Sequence, residues 1–179
     1  MPHCLRAAVL AFALAAAAAG CGRVPSGLKR ASQPALVVQR LGATNLSLRY
    51  NRPSARGRAL FGGIVPWDSV WCPGADEGTR LTTSSAILVA GHRLPEGAYT
   101  LWMIPRAAGP WTLIFSRKSR AYHVPYPGAG HDALRIPVTP GSGPYVETLS
   151  FGFPVATKDS AVLRLAWGDR VIDVPIHHR

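Results

Sequence analysis

The chain of 179 residues is poor in cysteine and in acid. Of its three cysteines, Cys4 and Cys21 lie near the start, which leaves Cys72 alone in the body of the chain. No intrachain disulfide can form there, so the fold must rest on its apolar core even in an oxidising compartment. A single cysteine between Trp71 and Pro73 is expected to be packed rather than to serve as a redox or nucleophilic thiol. Nine Asp and Glu face twenty Lys and Arg, a formal net charge of +11. Such a balance raises nucleic acid as a partner. Against it, the cations are nearly all arginine, scattered in ones and twos instead of a stripe, and no RNA-binding aromatic signature is present. No nucleic-acid partner is expected, and anionic lipid or polysaccharide suits the charge better.

Long apolar runs are missing beyond the first twenty residues. Residues 7–19 carry no charge and follow MPHCLR with its single cation, Arg6. Thirteen residues are too few to cross a bilayer core, which takes about 20, and the order of cation, apolar run and small residues marks a secretory leader. Ala18, Ala19, Gly20 and Cys21 resemble a bacterial lipobox, with Ala18 where leucine is usual. The resemblance implies a lipoprotein signal peptide over residues 1–20 and a lipidated, palmitate-bearing Cys21 that anchors the chain to a membrane. Gly22 in place of an aspartate implies the outer membrane, facing the periplasm. The alternative is ordinary cleavage after a small residue, giving a soluble secreted or periplasmic protein. Residues 21–32, with Arg23, Lys29 and Arg30, read as a flexible tether able to lie against anionic headgroups. Residues 33–179 are expected to form a single domain.

Helical spacing is missing too. From Gln33 on, apolar residues recur with a period near two, punctuated by Gly, Pro and Asp, which is a strand pattern. Nine strands are expected, over residues 35–40, 45–50, 80–89, 98–104, 111–117, 134–138, 146–153, 161–167 and 170–176. Gly168 and Asp169 between two alternating runs predict a tight hairpin, and Pro95, Glu96 and Gly97 predict another. His177, His178 and Arg179 are expected to fray. About nine strands with turns at short intervals imply an all-β fold, an antiparallel β-sandwich with a flattened barrel as the alternative.

Several blocks resemble the bacterial family catalogued as domain of unknown function 2911. They are NRPSARGRALFGGIVPWDSVWCPGADEGT, LPEGAYTLWMIP, WTLIFSRK and AVLRLAWGDRVIDVPI, over nearly all of residues 33–176. Tyr50, Arg52, Pro53, Ser54, Gly57, Arg58, Phe61, Gly62, Val65, Pro66, Trp71, Gly74, Ala75 and Glu77 match the family pattern, while Cys72 stands where arginine is usual and Asp76 where asparagine is usual. The resemblance implies an exported, often lipoprotein-like all-β domain, and it brings no reaction.

Residues 55–80 gather the chemistry. Arg52, Arg58, Trp67, Trp71, Asp76, Glu77 and Arg80 put cations, indole faces and two adjacent carboxylates on one inter-strand connection, a usual place for binding loops. Flat indoles with polar neighbours suit an envelope glycan or a peptide. The competing reading is a structural plug, in which Phe61, Val65, Trp67 and Trp71 close one end of the sandwich and Arg58 ties to Glu77. Neighbouring residues of an extended segment point to opposite sides, so Asp76 and Glu77 are not by themselves an acid–base pair. An envelope hydrolase using Glu77 or Asp76 with His123 is the second functional reading, and binding is favoured over catalysis. His123, His131 and Asp132 are the candidate metal ligands, although no close His-x-His or His-Glu-x-x-His spacing supports them. No P-loop, nucleophile elbow or dinucleotide fingerprint occurs, and no cofactor is expected.

Overall fold

The computed structural model describes residues 32–178, so the expected signal peptide, the lipidated Cys21 and all of the tether but Ser32 lie outside the described residues. Ten strands follow in chain order: β1 (Gln33–Leu41), β2 (Thr44–Arg52), β3 (Arg80–Thr83), β4 (Ile87–Val89), β5 (His92–Leu94), β6 (Gly97–Ile104), β7 (Trp111–Ser116), β8 (Asp132–Val138), β9 (Gly141–Ala156) and β10 (Ser160–His178). They form two antiparallel sheets, one ordered β1-β2-β3-β6-β7-β8 and the other β5-β4-β10-β9. Neither sheet closes on itself, which makes the fold a sandwich and sets aside the flattened barrel. Among the described residues no helix is long and apolar enough to cross a membrane.

Alternation builds the core. Leu46, Leu48 and Tyr50 of β2, Tyr99, Leu101 and Met103 of β6 and Trp111, Leu113 and Phe115 of β7 point inward from the first sheet. Leu149 and Phe151 of β9 and Leu163, Leu165 and Trp167 of β10 meet them from the second. Each such side chain contributes about 1.5–3 kcal/mol on burial. Tyr50 also spans the layers: its hydroxyl accepts the Phe151 N–H at 3.0 Å, and the two rings meet edge to face with centroids 5.0 Å apart.

One expected turn is present, and three expectations need correction. The hairpin at Gly168 and Asp169 is present within β10: the chain reverses there, so that Arg164 Nε and Nη2 donate to the Asp173 carboxylate at 2.7 and 2.6 Å and the His178 N–H donates to the Asp159 carbonyl at 2.8 Å. The inward positions pass from odd numbers (Leu163, Leu165, Trp167) to even ones (Ile172, Val174, Ile176), the parity change that a two-residue turn imposes on its two arms, and the β9 ladder slips register on both sides of Gly168. Gly168 adopts φ +59°, the left-handed conformation that the first central residue of a two-residue hairpin turn requires. The segment 80–89 is two strands in different sheets, β3 and β4. Thr83 Oγ1 donates to the Ser85 carbonyl at 2.7 Å where the chain leaves the first sheet. Pro95, Glu96 and Gly97 turn the chain from β5 in the second sheet to β6 in the first, rather than making a hairpin within one sheet. His177 and His178 are not frayed but pair with Leu88 and Ile87 of β4.

The first sheet is covered on its outer face as well. Trp102 and Ile114 point away from the main core and pack with Cys72 in a second apolar cluster, flanked by Ile104, Ala121 and Tyr126. Two returning segments supply this cover. Trp71 exchanges main-chain hydrogen bonds with Met103 at 2.7 and 2.8 Å, and Glu77 bridges to Tyr122. The antiparallel pairings Gln33↔Arg52 and Arg49↔Arg80 bring the start of β1, the end of β2 and the start of β3 to one end of the sandwich.

Candidate functional site

Residues 53–79, the connection between β2 and β3, close that end. Its apolar part is a ring cluster centred on Phe61, which lies 4.9 Å from Trp111, 5.9 Å from Trp71, 6.2 Å from Trp67 and 6.3 Å from Trp167 between centroids. Trp71 stacks on Trp167 with planes 14° apart. Two indole N–H groups of this cluster have acceptors: Trp111 Nε1 donates to Arg106 O at 2.9 Å and Trp167 Nε1 to Glu147 O at 3.2 Å. Gly62, at φ +82°, lies against the Trp67 indole so closely that any Cβ there would overlap it. Trp67 and Trp71 are thus half-buried members of the plug. Trp67 keeps one edge on a pocket of about 290 Å³ beside Arg106 and Arg170, whose guanidinium groups are paired with Asp68 and Asp169.

The cations of the connection fall into two groups. Arg52 and Arg58, with Arg56 between them in sequence, line an open concavity of about 460 Å³ beside Ser32 and Gln33. Arg58 is aimed by its own loop, donating from Nε to Ala55 O at 2.9 Å and from Nη2 to Ser54 O at 2.8 Å. Arg52 Nε reaches Leu149 O at 3.4 Å. Glu147 of β9 fixes the loop from the other sheet, accepting the Arg56 N–H on Oε1 at 2.6 Å and the Ala55 N–H on its carbonyl at 2.9 Å.

The second group is a pocket of about 420 Å³ on the outer face of the first sheet, where Arg80 and Glu77 meet Arg49 and Arg120 over Asn51. Arg49 and Arg80 are direct cross-strand partners. Neither they nor Arg120 makes an ion pair with a described residue, because the ion-paired arginines are Arg106, Arg135, Arg164 and Arg170. Asn51 in the floor is 2 % exposed, and its Oδ1 accepts no hydrogen bond. Arg49, Arg120 and Asn51 escaped the sequence reading, because only the ladder register and the return of the β7–β8 connection bring them to Arg80.

Asp76 and His123 do meet, but through the peptide backbone. The Asp76 carbonyl accepts the His123 N–H at 3.0 Å and lies 2.8 Å from Nδ1, which must carry the ring proton because a carbonyl oxygen only accepts. The Asp76 carboxylate lies 3.4 Å from the Ser32 N–H. Asp132 is held elsewhere: both its oxygens accept from Tyr126 Oη at 2.6–2.7 Å, and Arg135 Nε reaches Oδ2 at 2.5 Å. His123, His131 and Asp132 are not brought together, and among the described residues no three His, Cys, Asp or Glu side chains form a metal-holding group. Cys72 is buried against Trp102 and Ile114, and burial pushes its thiol up to about 12, which leaves it protonated and inert at neutral pH.

No curated protein and no solved structure matches the chain. The family model for a protein of unknown function, DUF2911, matches residues 32–176, and the chain belongs to that family.

Proposed function

We propose that this β-sandwich is a lipid-anchored envelope module that binds an anionic ligand, the carboxylate of an envelope glycan or peptide, in the pocket formed by Arg49, Arg80 and Arg120. One observation carries the reading: two arginines stand opposite each other on neighbouring strands, a third joins them, and none is ion-paired to a described residue. Like charges directly opposite destabilise a sheet pair, and an oxyanion between them turns that cost into a set of charge-assisted hydrogen bonds. The unmet acceptor on Asn51 suits a ligand that carries an N–H or O–H beside its acid. The hydrolase reading with Glu77 or Asp76 and His123 lacks comparable support, since the imidazole is held by a peptide oxygen.

Calorimetric titration with a muramyl peptide, in its free-acid and amidated forms, tests the binding role. The acid is expected to bind, and the amide to bind roughly 10- to 100-fold more weakly, the equivalent of about 1.5–3 kcal/mol for hydrogen bonds to a charged group. Arg80→Met is expected to weaken the acid by a similar factor. Equal affinity for both forms, or for wild type and Arg80→Met, contradicts the assignment.

A further inference from the structure

The arginines at the start of β1 have a different surrounding. Arg52, Arg56 and Arg58 line an open concavity together with Ser32, the first described residue. None of the three is ion-paired to a described residue, and no carboxylate lines the concavity. Ser54 Oγ and Thr148 Oγ1, 2.8 Å apart in its wall, add hydroxyl groups. Chain length then sets what this surface faces. From Cys21 to Ser32 is eleven residues. A chain of that length reaches at most about 40 Å. If Cys21 sits in a bilayer, the end of the sandwich where β1 begins is the end held near the headgroups, and three uncompensated guanidinium groups surround the point of entry.

We propose that Arg52, Arg56 and Arg58 form a docking surface for the phosphates of anionic phospholipid headgroups, which sets the sandwich on the membrane with its β1 end down. This rests on the lipoprotein reading only for its physiological setting, because the surface itself needs no acyl chain. It is also separate from the Arg49–Arg80–Arg120 pocket, whose residues the test leaves intact. A cation close to an anionic surface contributes about a fivefold gain in partition per residue, and the gain fades once salt shortens the Debye length to a few ångströms.

The test uses residues 21–179 with Cys21→Ser, so that no lipid is attached and every described residue is kept. Co-sedimentation is measured with phosphatidylcholine vesicles that contain or lack phosphatidylglycerol. Arg52→Gln/Arg56→Gln leaves Arg58 and its loop bonds in place. Arg40→Gln/Lys158→Gln, at the other end of β1, removes the same charge. Binding that needs phosphatidylglycerol and weakens about 25-fold in the first variant, but less than fivefold in the second, is the expected result. Equal weakening in both variants overturns the docking surface, as does binding to neutral vesicles alone. Loss of binding to an acidic oligosaccharide with vesicle binding unchanged also overturns it, since the surface would then serve a glycan. Thermal unfolding of each variant confirms that it is folded, and palmitate labelling of the unmodified chain tests the anchor separately.

Discussion

Arg49 and Arg80 stand directly opposite each other across the β2–β3 ladder, on the outer face of a sheet whose inner neighbours, Leu48 and Leu81, are fully buried. The placement is forced: with Leu48 and Leu81 committed to the core, alternation sends the next residue of each strand outward. The like charges therefore cannot separate without slipping the register of the core. Neither arginine is ion-paired to a described residue, although Glu77 lines the same pocket, and a like-charge pair of this kind gains nothing in stability by itself, which directs attention to ligand binding.

Burial of Cys72 predicts a loss of stability in alkali. The folded thiol ionises near 12 against 9.0 for an open one, so its contribution is full below pH 9 and falls as the unfolded thiol alone ionises between pH 9 and 12. The slope is about 1.4 kcal/mol per pH unit. Urea unfolding of wild type and Cys72→Ala at pH 8 and pH 10.5 should show the stability difference between them narrowing by about 2 kcal/mol. A pH-independent difference means the thiol is open to solvent.

Gly168→Ala should be costly. At φ +59° any Cβ is strained, and here it also meets Leu60 Cδ1 at 2.7 Å. A loss of about 1–3 kcal/mol in the denaturant midpoint is expected. A change below a few tenths means that the hairpin turn in β10 tolerates an ordinary residue.

Gly168 and residues 80–89 show where sequence reading succeeds and where it fails. Alternation is a local property, so the inward residues of β2, β6, β7 and β9 were all legible, and so was the sandwich. Gly-Asp between two alternating runs is a local turn signal, and it marks the reversal that brings Asp173 to Arg164 and His178 to Asp159. Residues 80–89 differ: β3 and β4 alternate alike, and only their partners, β2 and β10, reveal that they belong to different sheets. In the candidate site Glu77 and Arg80 were legible because they lie in a dense motif. Arg49 reads locally as one polar position in an amphipathic strand, and its meaning comes from the register that sets Arg80 opposite.

Trp71→Ala should act on stability. The indole stacks on Trp167 and packs against Phe61 in the plug, and truncation of a large aromatic in such a setting costs about 3–5 kcal/mol. Trp71→Phe should retain most of the stability and leave muramyl-peptide affinity within about twofold of wild type. A tenfold loss of affinity in Trp71→Phe, with the melting temperature unchanged, moves the ligand onto the indoles.

Cys21→Ala should abolish palmitate incorporation and release the chain from the membrane fraction in high salt. Radiolabel that persists in the variant rules out lipidation at that residue.

The most direct test is the melting temperature of wild type and Arg80→Met as the free-acid muramyl peptide is added. Removing one member of a like-charge pair is expected to leave the empty variant as stable as wild type or up to about 1 kcal/mol more stable. Only wild type should then gain, by about 2.7 kcal/mol at one hundred times its dissociation constant. An Arg80→Met variant that starts well below wild type, or that climbs with ligand as wild type does, shows instead that Arg80 holds the fold and not the ligand.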